Sequence, residues 1–98
     1  MNQRDLAILL AQHTDTSQSL ATASLYTAAA IITAALQHNE VVRIEHLGTF
    51  SSRWVPPRKM NPGGRGIRPI PGYWTVHFRA APRLLKALRD HAAPPKLG

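Results

Sequence analysis

Apolar side chains recur at helical spacing through the first third of the chain and then switch to alternation. Leu6, Leu9, Leu10 and His13 fall at i, i+3, i+4 and i+7, the stripe of an amphipathic helix. Asn2 is a fitting N-cap, with Asp5 three positions on standing in for the capping-box acid, and the helix should end near His13. The polar run Thr14-Asp15-Thr16-Ser17 makes a turn. Ser17 then caps a second helix whose apolar stripe is Leu20, Leu25, Ala28, Ala29, Ile32 and Leu36. Between Ala28 and Leu36 eight of nine positions are apolar, more than a surface helix resting on one partner needs, so burial on two sides is expected. Asn39 tolerates positive φ and should stop this helix at about His38.

Beyond Asn39 the period becomes two. VVRI at 41–44 reads as a strand, His46-Leu47-Gly48 as a tight turn through Gly48, and TFSSRWV as a second strand. YWTVHF at 73–78 is a third. Pro82 opens a short helix over 82–91, with Leu84, Leu85 and Leu88 on its apolar side and Arg83, Lys86 and Arg89 elsewhere, and residues 92–98 look frayed. There is no βαβ alternation and no internal repeat. The order defines one α+β domain over 1–98: two N-terminal helices, a three-stranded antiparallel sheet extended into a β-ribbon arm, and a short C-terminal helix. So small a body leaves surplus apolar surface on the second helix, which a dimer covers most simply.

The segment RWVPPRKMNPGGRGIRPIPGYW, residues 53–74, fits neither period. It holds five basic residues and no acid, five prolines and four glycines. Its few large apolar side chains cannot bury its backbone, so it should project from the body. Asn61-Pro62-Gly63-Gly64 has turn chemistry, and the flanks on either side should run antiparallel as a ribbon with a reach of about 30 Å. Pro69 and Pro71, two apart, can both lie on an outer edge. Pro56 and Pro57 are adjacent and cannot, so a bulge or an interruption is expected there.

Charge sharpens this picture. Residues 1–42 carry one base, Arg4, against Asp5, Asp15 and Glu40, whereas residues 43–98 carry eleven bases against Glu45 and Asp90. No acid occurs from His46 to Arg89. A field of one sign over half a small protein recruits polyanions. Cysteine is absent, which fits a reducing interior, and the opening residues lack the pattern of a secretory signal. The apolar run near residues 20–36 is interrupted by Thr22, Ser24, Thr27 and Thr33, so no membrane span is expected.

Five histidines are scattered without metal-ligand spacing, and no nucleophile–base–acid set or carboxylate pair occurs in the basic half, so neither enzyme chemistry nor a cofactor or small-molecule substrate is expected. His13 ends an apolar helical face, and His77 should point outward from its strand. Arg53, Arg58, Lys59, Arg65 and Arg68 line the ribbon. Arginines favour the negative potential of a narrow minor groove, and an apolar wedge such as Pro62 pushed between base pairs kinks a duplex. Composition leaves a second reading open, in which Pro62 only makes the turn and the arginines only keep it soluble.

Taken together, these residues resemble the bacterial histone-like DNA-binding family of HU and integration host factor, over nearly the whole chain. The likeness rests on Met1-Asn2 with Leu6, the Ser17 start of helix two, Leu25, Ile32 and Leu36, VVRIEHLGTF with its Gly48-Thr49-Phe50, Arg58-Lys59 before Asn61-Pro62, then Ile70-Pro71, Phe78 and the final helix. His46 and Leu47 stand where the family has glycine and an aromatic, and the Asn61-Pro62 tip arrives one residue early.

The resemblance implies an intertwined dimer, homodimeric or with another chain of the family. Residues 1–38 would be its helical dimerisation part, 41–52 and 73–78 its sheet, and 53–72 an arm in the minor groove of double-stranded DNA. Pro62 would intercalate, Asn61 support the tip, and Arg53, Arg58, Lys59, Arg65 and Arg68 contact the groove or its phosphates. Arg79, Arg83 and Lys86 would hold phosphates beside the body, while Gly48 would serve the turn and Phe50 the core. The implied function is an architectural protein of the bacterial nucleoid, in the cytoplasm, that bends or compacts DNA largely without sequence specificity. A site-preferring bending factor and a module that pairs with other HU-family chains are the alternatives. RNA suits a minor-groove wedge less well.

Overall fold

The computed structural model describes residues 1–64 and 66–91. The chain forms two compact units, the first covering Met1–Ala35 and the second beginning at Leu36.

In the first unit, α1 (Gln3–Thr14) starts on a reciprocal capping box. The Asp5 amide donates to Asn2 Oδ1 at 3.0 Å and the Asn2 amide donates to Asp5 Oδ2 at 3.2 Å. Such a cap stabilises a helix by about 1 kcal/mol. Asp15 in the left-handed region (φ 53°) ends it, and Ser17 Oγ accepts from the Leu20 amide at 3.0 Å to open α2 (Gln18–Gln37).

The buried residues of this unit are Ala7, Ala11 and Ala21, flanked by Leu10 and Leu25. The leucine stripe expected to be the buried face of α1 is therefore only partly so, because Leu6 stays 44% exposed and Leu9 is also open. Alanines let two helix backbones approach closely, and the larger side chains Leu6 and Leu9 are left partly open within this unit. Burial of α2 on two sides is likewise not met by one chain: Leu20, Tyr26 and Ile31 are exposed. With 20 residues and a mean hydropathy of 1.6 over an 18-residue window, α2 is also long and apolar enough to cross a membrane, by length and composition alone.

In the second unit Asn39 takes the left-handed conformation expected of it (φ 59°), and its Oδ1 accepts from Ser52 Oγ at 2.8 Å. Strands β1 (Val42–Ile44), β2 (Gly48–Val55) and β5 (Tyr73–Ala80) form an antiparallel sheet in the order β1-β2-β5. β5 runs two residues past its expected end, so Arg79 lies in the ladder opposite Thr49. Phe50 and Phe78, paired across it, have ring centroids 4.8 Å apart.

The β1–β2 turn corrects the expected role of Gly48. His46 carries the left-handed φ of 68°, whereas Gly48, at φ 158°, is buried as the first residue of β2. A Cβ on Gly48 would lie 2.5 Å from the Arg79 carbonyl oxygen and 2.6 Å from the Phe78 ring. The glycine is required by close packing across the sheet at the point where the chain leaves the turn.

β2 also continues through Arg53, Trp54 and Val55, all paired with β5, so these three residues belong to the sheet and not to a free arm. A second, two-stranded sheet follows: β3 (Arg58–Met60) pairs antiparallel with β4 (Arg68–Ile70). The chain then returns along β5 to α3 (Pro82–His91), whose start is tied to the β1–β2 turn by a hydrogen bond from the Ala81 amide to the Leu47 carbonyl at 3.0 Å.

Candidate nucleic-acid interface

Directly opposed residues share a face of an antiparallel sheet, and successive residues alternate. The register therefore sorts the second unit's side chains. One face carries Arg43, Thr49 and Arg79 in a single row across the three strands, then Ser51 with His77, then Arg53 with Thr75. The other carries Val42, Phe50, Phe78, Val76, Trp54 and Trp74. Arg43, Arg53, His77 and Arg79 are exposed, and no acid stands among them. Cations and hydroxyls on a pleated surface offer charge-assisted hydrogen bonds to phosphate oxygens.

The ribbon extends the supply of cations. Arg58 opposes Ile70, Lys59 opposes Pro69 and Met60 opposes Arg68, so arginine lies on one face and lysine on the other. All three cations are exposed. Pro69 sits in the ladder, while Pro71 lies beyond it.

At the tip, residues Pro62–Gly64 form a single tight turn with Gly63 at φ 63°, and Asn61 Oδ1 accepts from the Gly66 amide at 3.0 Å. Asn61 thus ties the two sides of the tip together. Arg65 and the expected frayed tail at 92–98 lie outside the described residues.

Around the start of α3, Arg83 Nη1 lies 3.4 Å from His46 Nε2, and Lys86 pairs with Asp90 at 3.3 Å. Both members of the second pair are well exposed, so it is a weak contact that a phosphate could replace. A cleft of about 510 Å³ opens here, lined by Arg43, His46, Thr49, Arg79 and Arg89 among others.

Arg43, His46 and Arg89 are not among the site residues expected from the sequence. For Arg43 the signal was present, since it alternates with Val42 and Ile44; His46 and Arg89 are brought there by the turn and by α3. Among the described residues no group of His, Asp and Glu side chains could hold a metal ion.

A basic sheet face running into a basic, proline-rich ribbon on a small α+β body defines a class of protein built to meet a polyanion. The family model described as bacterial DNA-binding protein matches residues 1–89, and the chain belongs to that family, the histone-like family of HU. Its fold is similar to that of HU from Anabaena, solved in a cocrystal with DNA, at 26% identity and a TM-score of 0.82; the match covers 97% of this chain and 100% of that one. A mutant HU from Thermotoga maritima is similar in fold at 19% identity and a TM-score of 0.67, over 90% of this chain and 99% of that one. No curated protein matches the chain. Since the Anabaena match covers nearly the whole chain, the apolar helix α2 is accounted for as an element of the HU fold.

Proposed function

We propose that this chain is an architectural protein that binds and bends double-stranded DNA, acting in the bacterial nucleoid as a dimer with a second copy or with another HU-family chain. The ribbons enter the minor groove, with Arg53, Arg58, Lys59, Arg65 and Arg68 on the groove or its phosphates and Asn61 holding the tip. Pro62 wedges between base pairs, and Arg79, Arg83 and Lys86 take phosphates beside the body. The observation that carries this reading is the continuity of positive charge: Arg43, Arg79 and Arg53 share one sheet face, Arg58, Lys59 and Arg68 follow on the ribbon, and no acid occurs from His46 to Arg89.

Among the described residues no helix stands out as a base reader, and the minor groove distinguishes little beyond A·T from G·C, so binding is largely indifferent to sequence. Deformable steps are favoured through the cost of bending alone. The exposed apolar side of α2 supports dimerisation, because patches of this kind on soluble proteins mark association sites.

Energy transfer across an end-labelled duplex tests the bending. The wild-type protein should raise transfer on binding. Pro62→Ala should keep most of the low-salt affinity and lose the rise; transfer equal to wild type would remove Pro62 from the role of wedge.

A further inference from the structure

Between the sheet and the ribbon lies a joint built differently from either. The β2–β5 ladder closes at Val55 opposite Tyr73, and the β3–β4 ladder opens at Arg58 opposite Ile70. Two residues intervene on each side, Pro56-Pro57 and Pro71-Gly72, so the register passes through the gap unshifted and the expected irregularity is an interruption without a bulge. Three of these four residues are prolines with no N–H to donate, and ladder pairing lapses there. A ribbon attached only through such a gap would swing.

Side chains take over where hydrogen bonds stop. The Trp54 indole lies across Gly72 so closely that a Cβ on Gly72 would fall 2.4 Å from Trp54 Cζ2 and 2.9 Å from Pro57 Cδ. Trp74, the cross-strand partner of Trp54, meets it edge to face with centroids 5.3 Å apart. Both indoles remain open to solvent, 48% and 61% exposed, so neither is placed there by burial in a core. By strand alternation they stand on the sheet face opposite Arg53.

We infer that Trp54, braced against Gly72, Pro57 and Trp74, is a positioning residue that fixes the direction of the arm, and that duplex bending depends on this brace. The inference rests on the reading under Proposed function. A bent duplex resists with its elastic stiffness, and an arm on a free joint yields to that resistance instead of opposing it. A pre-set arm also binds without a further ordering cost.

The test uses the full chain with Gly72→Ala, Trp54→Ala and Trp54→Phe. Gly72→Ala and Trp54→Ala should leave the salt slope of duplex binding unchanged, because no phosphate contact is removed, while affinity falls about tenfold and energy transfer across an end-labelled duplex drops. Trp54→Phe, which keeps an aromatic edge over Gly72, should recover most of the transfer. Wild-type transfer in both alanine variants, or a flattened salt slope in Trp54→Ala, would overturn the inference, the latter by making Trp54 a DNA contact.

Amide exchange at Arg58–Met60, Arg68 and Ile70 in the free protein tests the joint without DNA. Faster exchange in Gly72→Ala supports the brace, and equal exchange overturns it. A wild type that fails to bend duplexes would instead sink the functional reading and leave the joint to be judged by exchange.

Discussion

Met1–Ala35 and the unit that begins at Leu36 differ in what they leave open to solvent. The first has one base, Arg4, against Asp5 and Asp15, buries little beyond three alanines, and exposes Leu6, Leu20, Tyr26 and Ile31. The second holds eleven bases against Glu40, Glu45 and Asp90, and confines its apolar side chains largely to one sheet face while arginines occupy the other. Association by apolar burial and attraction by charge have different ranges and respond differently to salt. Placing them in separate units lets each be altered without the other, and substitutions should therefore sort into two groups.

The largest effect should come from the helical unit. A charge at Ile32, on the apolar stripe of α2, places an unpaired ion where a second chain is proposed to pack, and Ile32→Glu should abolish folding as well as dimerisation. Circular dichroism with sedimentation checks this; a soluble, folded monomer would show that the two functions do not divide as described.

Next in size is Gly48→Ala. The new methyl meets the Arg79 carbonyl and the Phe78 ring at distances no real Cβ tolerates, so the sheet must shift, at a cost of about 1–3 kcal/mol. Thermal unfolding should report the loss. An unchanged melting temperature would mean that Phe78 and the β5 backbone give way freely.

The smallest effect on stability belongs to the ribbon. Replacing Arg58 and Lys59 together with alanine should leave the melting temperature nearly unchanged, since both side chains are exposed, and should weaken binding to every duplex sequence alike. The slope of log affinity against log salt should flatten by about one for each lost contact. A variant that binds one sequence normally and another poorly would place base reading in the ribbon.

Much of this division was legible in the sequence. Asn2, Ser17 and Asn39 mark helix ends through chemistry local to a few residues, and the structure uses each as expected. The acid-free ribbon was equally plain, because proline, glycine and charge act without tertiary context. What could not be read off depends on pairing. A glycine before Thr49 satisfies a turn or a tight sheet contact equally well, and only the register with Phe78 and Arg79 decides between them.

Similarly, helical spacing draws attention to leucines, while the helices of one chain meet through alanines whose small size allows close approach. The strand read over 49–55 does reach Val55, but that Trp54 pairs with Trp74, twenty residues later, is decided only by the register of β2 with β5. The row of Arg43, Thr49 and Arg79 needs three strands in register before it exists at all.

The salt dependence of wild-type binding to a mixed-sequence duplex tests the central claim most directly. Log affinity should fall linearly and steeply with log salt, with a slope of about −0.9 for each phosphate neutralised and a total set by the cations of two arms. A slope near zero, or no binding at modest ionic strength, would contradict the account.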